Sequence, residues 1–382
     1  MLKMIYLDNN ATSPLAPQVK DFILEHLDIF ANPSSFHSLG RNSRQLLEAA
    51  RQQVSHLLGC VPSEIIFTSG GTESNNLAIL GSLPHAPKSK NHIITTKVEH
   101  PSVLNVMHYC KKQGWDITYV PVGRDGLLDL NYLEESISSR TFLVSIMYAN
   151  NETGVIFPIE EISTVVKKYD ALFHVDATQM VGRYPLNVQH CPIDLLTISA
   201  HKFHSLKGAG ALYVKDGTRL TPLVYGGKQE KNIRSGTENF HNIIAMGQAS
   251  YLAKTLFLDK MKNVEQMRNN LQDFILQTVP RSVVNGIEAP RIANTLNVSF
   301  CGVLGDVLVR ELSRHKVYVS HGAACSSGAQ EVSHVLKSMK LEWDFITSAI
   351  RFSFSIFNTQ FEVQKLQELI PQVVNKLRNM PE

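Results

Sequence analysis

Lys202 follows the apolar run Leu195-Leu196-Thr197-Ile198, within Ser199-Ala200-His201-Lys202-Phe203-His204, and a second run, Leu172-Phe173-His174-Val175, delivers Asp176 twenty-six residues earlier. Both runs read as strands, so an amine and a carboxylate stand at neighbouring strand ends. That pairing suits pyridoxal phosphate chemistry. The lysine holds the cofactor aldehyde as a Schiff base, and the carboxylate keeps the pyridine nitrogen protonated so that the ring withdraws electrons. Taken singly, a strand-end lysine is ordinarily a solvated surface residue and a lone aspartate a turn former or helix cap, so the companions decide.

One companion is Ile65-Ile66-Phe67-Thr68-Ser69-Gly70-Gly71-Thr72-Glu73-Ser74-Asn75-Asn76, a short apolar strand, a glycine pair and the opening of a helical stretch. Glycines let backbone approach an anion, and the free amides and dipole of a helix start favour it, so Gly70, Gly71 and Thr72 are suited to a phosphate. Alone, the same turn is equally a tight strand-to-helix connection. The second companion is Cys325, in His321-Gly322-Ala323-Ala324-Cys325-Ser326-Ser327-Gly328. Small and polar neighbours predict an accessible thiol on a mobile loop, the setting in which a thiolate attacks; a small loop cysteine without a role is the plainer reading. Cys60, Cys110, Cys191 and Cys301 sit in or beside apolar segments or ordinary turns and read as structural. Five cysteines without a Cys-x-x-Cys pair argue against a disulfide framework and a structural zinc site.

The elements that must position these residues alternate. Strand-like runs at 92–96, 117–120, 142–147, 172–175, 195–199 and 210–214 are continuously apolar, which predicts an α/β fold: a mostly parallel sheet covered by helices on both faces, with ligands at carboxyl strand ends. Amphipathic helices are expected over 17–30, 42–58 and 256–279. Beyond them, Thr295–Phe300, a helix around Val307 to Leu312 and a last helix from about Gln360 form a smaller α+β unit. The expected division is a large cofactor domain over 16–255 and a small domain from 1–15 and 256–382.

With 382 residues, 43% hydrophobic and 19% charged, the chain can bury a large core. A net charge of +3 calls for neither nucleic acid nor an anionic membrane. No apolar run approaches a membrane span, and the start is too short for a signal peptide, so a cytoplasmic location is expected.

The chain closely resembles the NifS-like cysteine desulfurases, fold-type I pyridoxal phosphate enzymes of the class V aminotransferase-like group that take sulfur from L-cysteine and leave L-alanine. The resemblance runs in order through Tyr6 to Thr12, Asn32-Pro33-Ser34-Ser35 with His37, Gly40 and Arg41, Thr68 to Asn76, Glu99-His100-Pro101, Asn150 to Gly154, His174 to Gln179, Ser199 to His204, Arg234 to Asn239 and Ala323 to Gly328. It implies that Lys202 carries the cofactor, Asp176 meets the pyridine nitrogen, Gln179 and Asn151 approach the ring hydroxyl, and His100 stacks on the ring and moves protons. Phosphate is held by Gly71, Thr72, Ser199 and His201, with Thr237 reaching in from the second subunit of a homodimer. Arg351, with Asn32 nearby, grips the substrate carboxylate. Cys325 takes the sulfur as a persulfide and hands it to an acceptor protein, such as an iron-sulfur scaffold or a thiolation enzyme. No metal is expected, His201 and His204 included.

Three positions depart from the family pattern. Ala323 replaces a serine, His321 stands four residues before Cys325 where it could tune the thiol, and Ser355 stands where glycine is expected, which could displace Arg351. The end at Glu382 also implies a reduced acceptor-binding extension. A selenocysteine lyase or aminotransferase of the same fold, or a low-activity sulfur carrier, are the alternatives; the first two would not need Cys325 for turnover.

Overall fold

The computed structural model describes residues 4–322 and 332–379; Cys325 and Ala323 lie outside the described residues. Among the described residues twelve strands follow in chain order: β1 (Ile5–Tyr6), β2 (Ile65–Thr68), β3 (His92–Thr96), β4 (Asp116–Val120), β5 (Thr141–Met147), β6 (Leu172–Asp176), β7 (Leu195–Ser199), β8 (Gly210–Val214), β9 (Ser282–Val284), β10 (Thr295–Phe300), β11 (Val317–Tyr318) and β12 (Ala349–Ser353).

Seven of them form one sheet in the order β2-β8-β7-β6-β5-β3-β4. All neighbours are parallel except β8, which runs antiparallel to β2 and β7. Strands β3, β5, β7 and β8 are buried along their whole length, as expected when helices cover both faces and leave no side for polar alternation. The parallel register sets Asp176 of β6 beside Met147 of β5 and Thr197 of β7. Functional groups from three strands therefore emerge at one carboxyl edge.

Helices start and stop where local chemistry dictates. The helix expected over 17–30 ends at Glu25, where the chain leaves helical geometry at His26, whose ring meets the Phe22 carbonyl at 2.8 Å. The helix expected from 42 begins at Ser38, because the His37 ring accepts the Gly40 amide at 3.2 Å and so caps it. The third, Leu258–Thr278, continues Phe240–Leu252 through a π-helical turn at Ala253–Phe257. The helices Gly305–Arg314 and Gln360–Arg378 fall where helical segments are expected.

A second apolar cluster, separate from that of the large sheet, gathers Ile5 and Leu7 with Val264, Leu271, Leu296, Phe300, Leu308, Phe352 and Leu366 around the sheet β12-β10-β9. Val335, Leu336, Met339 and Ile346 pack instead with the larger cluster. The N-terminal segment links the two. β1 pairs with β11, the Ser353 amide donates to the Leu7 carbonyl at 2.7 Å, and the chain then runs to Asn10 and Ala11 at the sheet's carboxyl edge.

Strand β2 is an edge, yet two side chains occupy its outward hydrogen-bonding groups. Arg51 donates to the Ile65 carbonyl at 2.9 Å, and Glu230 accepts the Phe67 amide at 2.8 Å while pairing with Arg51 at 2.7 and 2.8 Å. The guanidinium lies 4.7 Å from the Phe67 ring centre. Glu230, Lys231 and Asn232 are successively left-handed, with φ of 42°, 58° and 63°.

Candidate active site

A cavity of about 220 Å³ opens at the carboxyl edge of the sheet. It brings together Lys202, Asp176, Gln179, Asn151, His100, Gly71, Thr72, Ser199, His201 and Arg351. Thus ten of the thirteen residues singled out from the sequence share one cavity. Asn32 and Thr237 do not line it; both are exposed, and the Asn32 amide oxygen accepts from the Ser34 amide and hydroxyl at 2.9 and 2.7 Å. Cys325 belongs to the undescribed residues.

Lys202 leaves a short 3-10 turn after β7, and its Nζ donates to the carbonyls of Asn10 and Ala11 at 2.6 and 2.8 Å. Asp176, the last residue of β6, is 7% exposed. Its Oδ2 accepts from Asn75 at 2.8 Å and its Oδ1 from the Thr178 amide at 3.0 Å, so the carboxylate is oriented before any ligand arrives. Asn75 also donates to Ser102 at 2.9 Å.

His100 is the N-cap of the helix Pro101–Lys112: its Nδ1 accepts the Ser102 amide at 3.1 Å. Because Nδ1 is an acceptor, the neutral ring carries its proton on Nε2. Burial, helped by Lys202 and His334 and opposed by Asp176, lowers its pKa below the ordinary imidazole value. His201 is pushed down to about 4 by burial and by Lys202, Lys207 and Arg183, and its Nδ1 lies 3.1 Å from the Thr12 hydroxyl. His204 turns away to the Pro14 carbonyl at 2.9 Å. The two histidines therefore serve separate partners.

The helix Gly71–Ser82 has no side chain capping its first turn. Its leading amides face the cavity wall formed by Gly71, Thr72 and Ser199. Gly70, at φ 152°, would carry a Cβ into open space with only the Ser199 hydroxyl, at 3.9 Å, within 4 Å, whereas a Cβ on Gly210 would stand 2.6 Å from the Gly70 Cα. Glycine is needed at 210 for strand contact and at 70 for backbone conformation. An uncapped helix start beside two hydroxyls and a neutral imidazole fits a phosphate. With the buried carboxylate of Asp176 and the amine of Lys202, the residues present fit pyridoxal phosphate.

Arg351 projects from β12, 2% exposed. It donates to the Asn151 carbonyl at 2.9 Å and to Asp8 at 2.6 Å, leaving a buried Nε without a partner among the described residues. Ser355 lacks the positive φ that would require glycine, and Arg351 lines the cavity with serine there. His321 is held by the Ala349 carbonyl, 2.9 Å from its Nδ1. Desolvation raises the thiols of Cys60, to about 12, and of Cys110, to about 11, which suppresses thiolate at neutral pH.

Asp8, Asn10, Asn75, Ser102 and Thr178 are site residues that sequence reasoning left without roles, although all but Ser102 fall inside motifs it quoted. Ser102 directly follows one. Asn10 ties the site together: its carbonyl accepts from Lys202 and Gln179, and its Nδ2 donates to the Asn151 carbonyl at 3.1 Å and the Thr295 hydroxyl at 2.8 Å.

The class-V aminotransferase family is matched over residues 5–366. A cysteine desulfurase of Trichormus azollae is 45% identical over 378 residues, covering 99% of this chain and 94% of that protein. A cysteine desulfurase IscS of Dictyoglomus turgidum is 42% identical over 385 residues, covering 100% and 97%. Among solved structures, a NifS-like protein superposes with a TM-score of 0.92 at 35% identity, covering 98% of this chain and 100% of that one. A structure described as SspA in complex with cysteine gives 0.82 at 32% identity, covering 93% and 100%. Matches of that extent and identity place the chain in the class-V aminotransferase family of pyridoxal phosphate enzymes, among the NifS-like cysteine desulfurases.

Proposed function

We propose that this protein is a cysteine desulfurase that removes sulfur from L-cysteine, leaves L-alanine and carries the sulfur as a persulfide of Cys325. The observation that carries the reading is the convergence of Lys202, Asp176, His100 and Arg351 on one cavity with an uncapped helix start. Lys202, Asp176, Gln179, Asn151, Gly71, Thr72, Ser199 and His201 would hold pyridoxal phosphate, which when bound supplies the electron sink for charge developing at the substrate α-carbon.

The chain's own residues do the rest. Arg351 binds the substrate carboxylate, its planar fork being suited to two parallel hydrogen bonds. Lys202 and His100 move the α-proton, the low-pKa imidazole being neutral and so able to act as a base near neutrality. The Cys325 thiolate bonds to the substrate sulfur as the sulfur–Cβ bond breaks, and the electron pair returns to the carbon skeleton, which is protonated to alanine. The balance is cysteine plus thiol giving alanine plus persulfide, with no external oxidant.

The same reading includes a homodimer, in which Thr237 and the Asn32 segment complete the second subunit's site. Support comes from the exposure of Thr237 and of Phe30, Phe36 and Tyr225, which are 85%, 93% and 78% accessible and form surface a second copy would cover. It also includes a cytoplasmic setting, an iron-sulfur scaffold or thiolation enzyme as sulfur acceptor, and the division into domains at 16 and 256, supported in part by the separate apolar cluster of Ile5, Leu7 and residues 261–374, although Val335, Leu336, Met339 and Ile346 pack with the larger cluster. No helix among the described residues is long and apolar enough to cross a membrane.

The test is to incubate the cofactor-loaded protein with L-cysteine and a thiol reductant and to quantify alanine and sulfide. Equal yields, abolished by Cys325→Ser and by Lys202→Ala, are expected. Alanine formation surviving Cys325→Ser would move the assignment to a lyase or aminotransferase, and a loaded but inert wild type would indicate a carrier.

A further inference from the structure

Among the described residues, Arg183 is a buried cation without an anionic partner. It is 8% exposed, pairs with no carboxylate among the described residues, and gives its hydrogen bonds entirely to carbonyl-type oxygens. Nη1 donates to the backbone carbonyl and the side-chain oxygen of Gln179; Nη2 donates to the carbonyls of Asn9 and Lys202 at 3.1 and 3.3 Å. It stands outside the cavity, in the small space behind Lys202 that Phe203, His204 and Phe257 also line. An arginine sequestered without a counter-ion is costly, which makes its retention informative.

A guanidinium only donates, so the Gln179 atom it touches must be the amide oxygen. The Gln179 amide group is thereby fixed as NH₂, one hydrogen reaching the Asn10 carbonyl at 3.1 Å. The other is left for the cavity, which Gln179 lines and Arg183 does not. Polarised by a cation at its oxygen, that amide is a stronger donor toward an anionic ligand atom. The nearer charges compensate one another in part: Arg351 is paired with Asp8, and Lys202 shares the cavity with Asp176. Arg183 has no such compensation until an anion arrives.

We propose that Arg183 is a positioning residue that locks Gln179 as a donor and supplies, through it, the buried counter-charge for the anionic ring oxygen of the cofactor. The inference rests on the pyridoxal phosphate reading of the cavity. A cation behind the ring oxygen opposes protonation of the lysine–cofactor linkage, so its loss raises the pH midpoint at which the bound cofactor changes absorbance. The charged and titratable groups that share this environment are Lys202, Asp176, Arg351, Asp8, His100, His201 and His204; substitution at 183 leaves all of these residues in place, and of them it relieves the downward push that Arg183 exerts on the imidazoles of His201 and His204.

The experiment compares wild type, Arg183→Lys, Arg183→Gln and Gln179→Ala, each loaded with pyridoxal phosphate, by spectrophotometric pH titration and by melting temperature. Arg183→Gln should raise the midpoint by about one pH unit, and Arg183→Lys, which keeps the charge, should stay near wild type. In a Gln179→Ala background, Arg183→Gln should shift the midpoint by less than half as much. A wild type with no lysine-bound cofactor absorbance would sink the cofactor reading itself. Normal wild-type absorbance with equal midpoints for Arg183→Lys and Arg183→Gln overturns the role of Arg183, as does a cofactor-free Arg183→Gln protein that melts like wild type with Arg183→Lys equally empty.

Discussion

Replacing His174 and His204 together by glutamine should flatten the acid side of this protein's stability curve. His174 stands between strands, its Nδ1 2.8 Å from the Ser145 hydroxyl and its Nε2 3.1 Å from that of Thr197, two residues before Asp176. His204 lies between the rings of Phe257 and Phe357, two residues after Lys202. Burial pushes both imidazoles down to about 4; Asp176 opposes this at His174, while at His204 the Pro14 carbonyl opposes it and Arg183 reinforces it. In the unfolded chain each titrates near 6.5, so between these values the unfolded state binds more protons and stability falls as pH falls. The limiting slope is roughly 1.4 kcal/mol per pH unit for each ring, and from pH 7 to 5.5 the loss integrates to about 1.2 kcal/mol each, or about 2.5 kcal/mol for the pair. Urea unfolding of wild type and double variant at the two pH values isolates this contribution, because every other titrating group is common to both. If the variant lost as much stability as wild type across that window, the two rings would not be held neutral by the fold.

Arg351→Lys should raise KM for L-cysteine about tenfold to a hundredfold with a smaller change in kcat, because a point charge replaces a planar fork; steady-state kinetics showing an altered kcat at unchanged KM would remove Arg351 from carboxylate binding. Asp176→Asn should leave the protein folded and able to take up cofactor, yet lower turnover by at least roughly a hundredfold, since the neutral amide cannot hold the pyridine nitrogen protonated. Near-normal turnover with full cofactor loading would contradict that role.

Apolar continuity in runs such as Phe142–Met147 and Leu195–Ser199 marks a covered parallel sheet because both faces of each strand are buried, so the large sheet was readable without knowledge of partners. The quoted motifs likewise point to ten residues that the fold gathers. Local deviations were illegible. Nothing in Ala253-Lys254-Thr255-Leu256-Phe257 announces the π-helical turn that fuses two helices, and His37 is not a side chain that ordinarily marks a helix start. Arg183 escaped notice because its meaning lies in what it lacks: an arginine in sequence implies a solvated or paired charge, and only the fold shows it buried against carbonyls alone. Thr237 and Asn32 carry no cavity contact within one chain, so a role for them depends on a second copy.

The strand that feeds the Gly70-Gly71 turn is also a border of the seven-stranded sheet, and such a border is a template for unwanted strand addition. Here Arg51 and Glu230 take the hydrogen bonds an incoming strand would need at Ile65 and Phe67. Two side chains thus imitate one neighbouring strand, and three successive left-handed residues hold one of them in place. Protection of the sheet border and the anchoring of the strand that leads into the Gly70-Gly71 turn are in this way secured by the same ion pair, so a charge-neutralising change at Arg51 would expose an adhesive border at that strand.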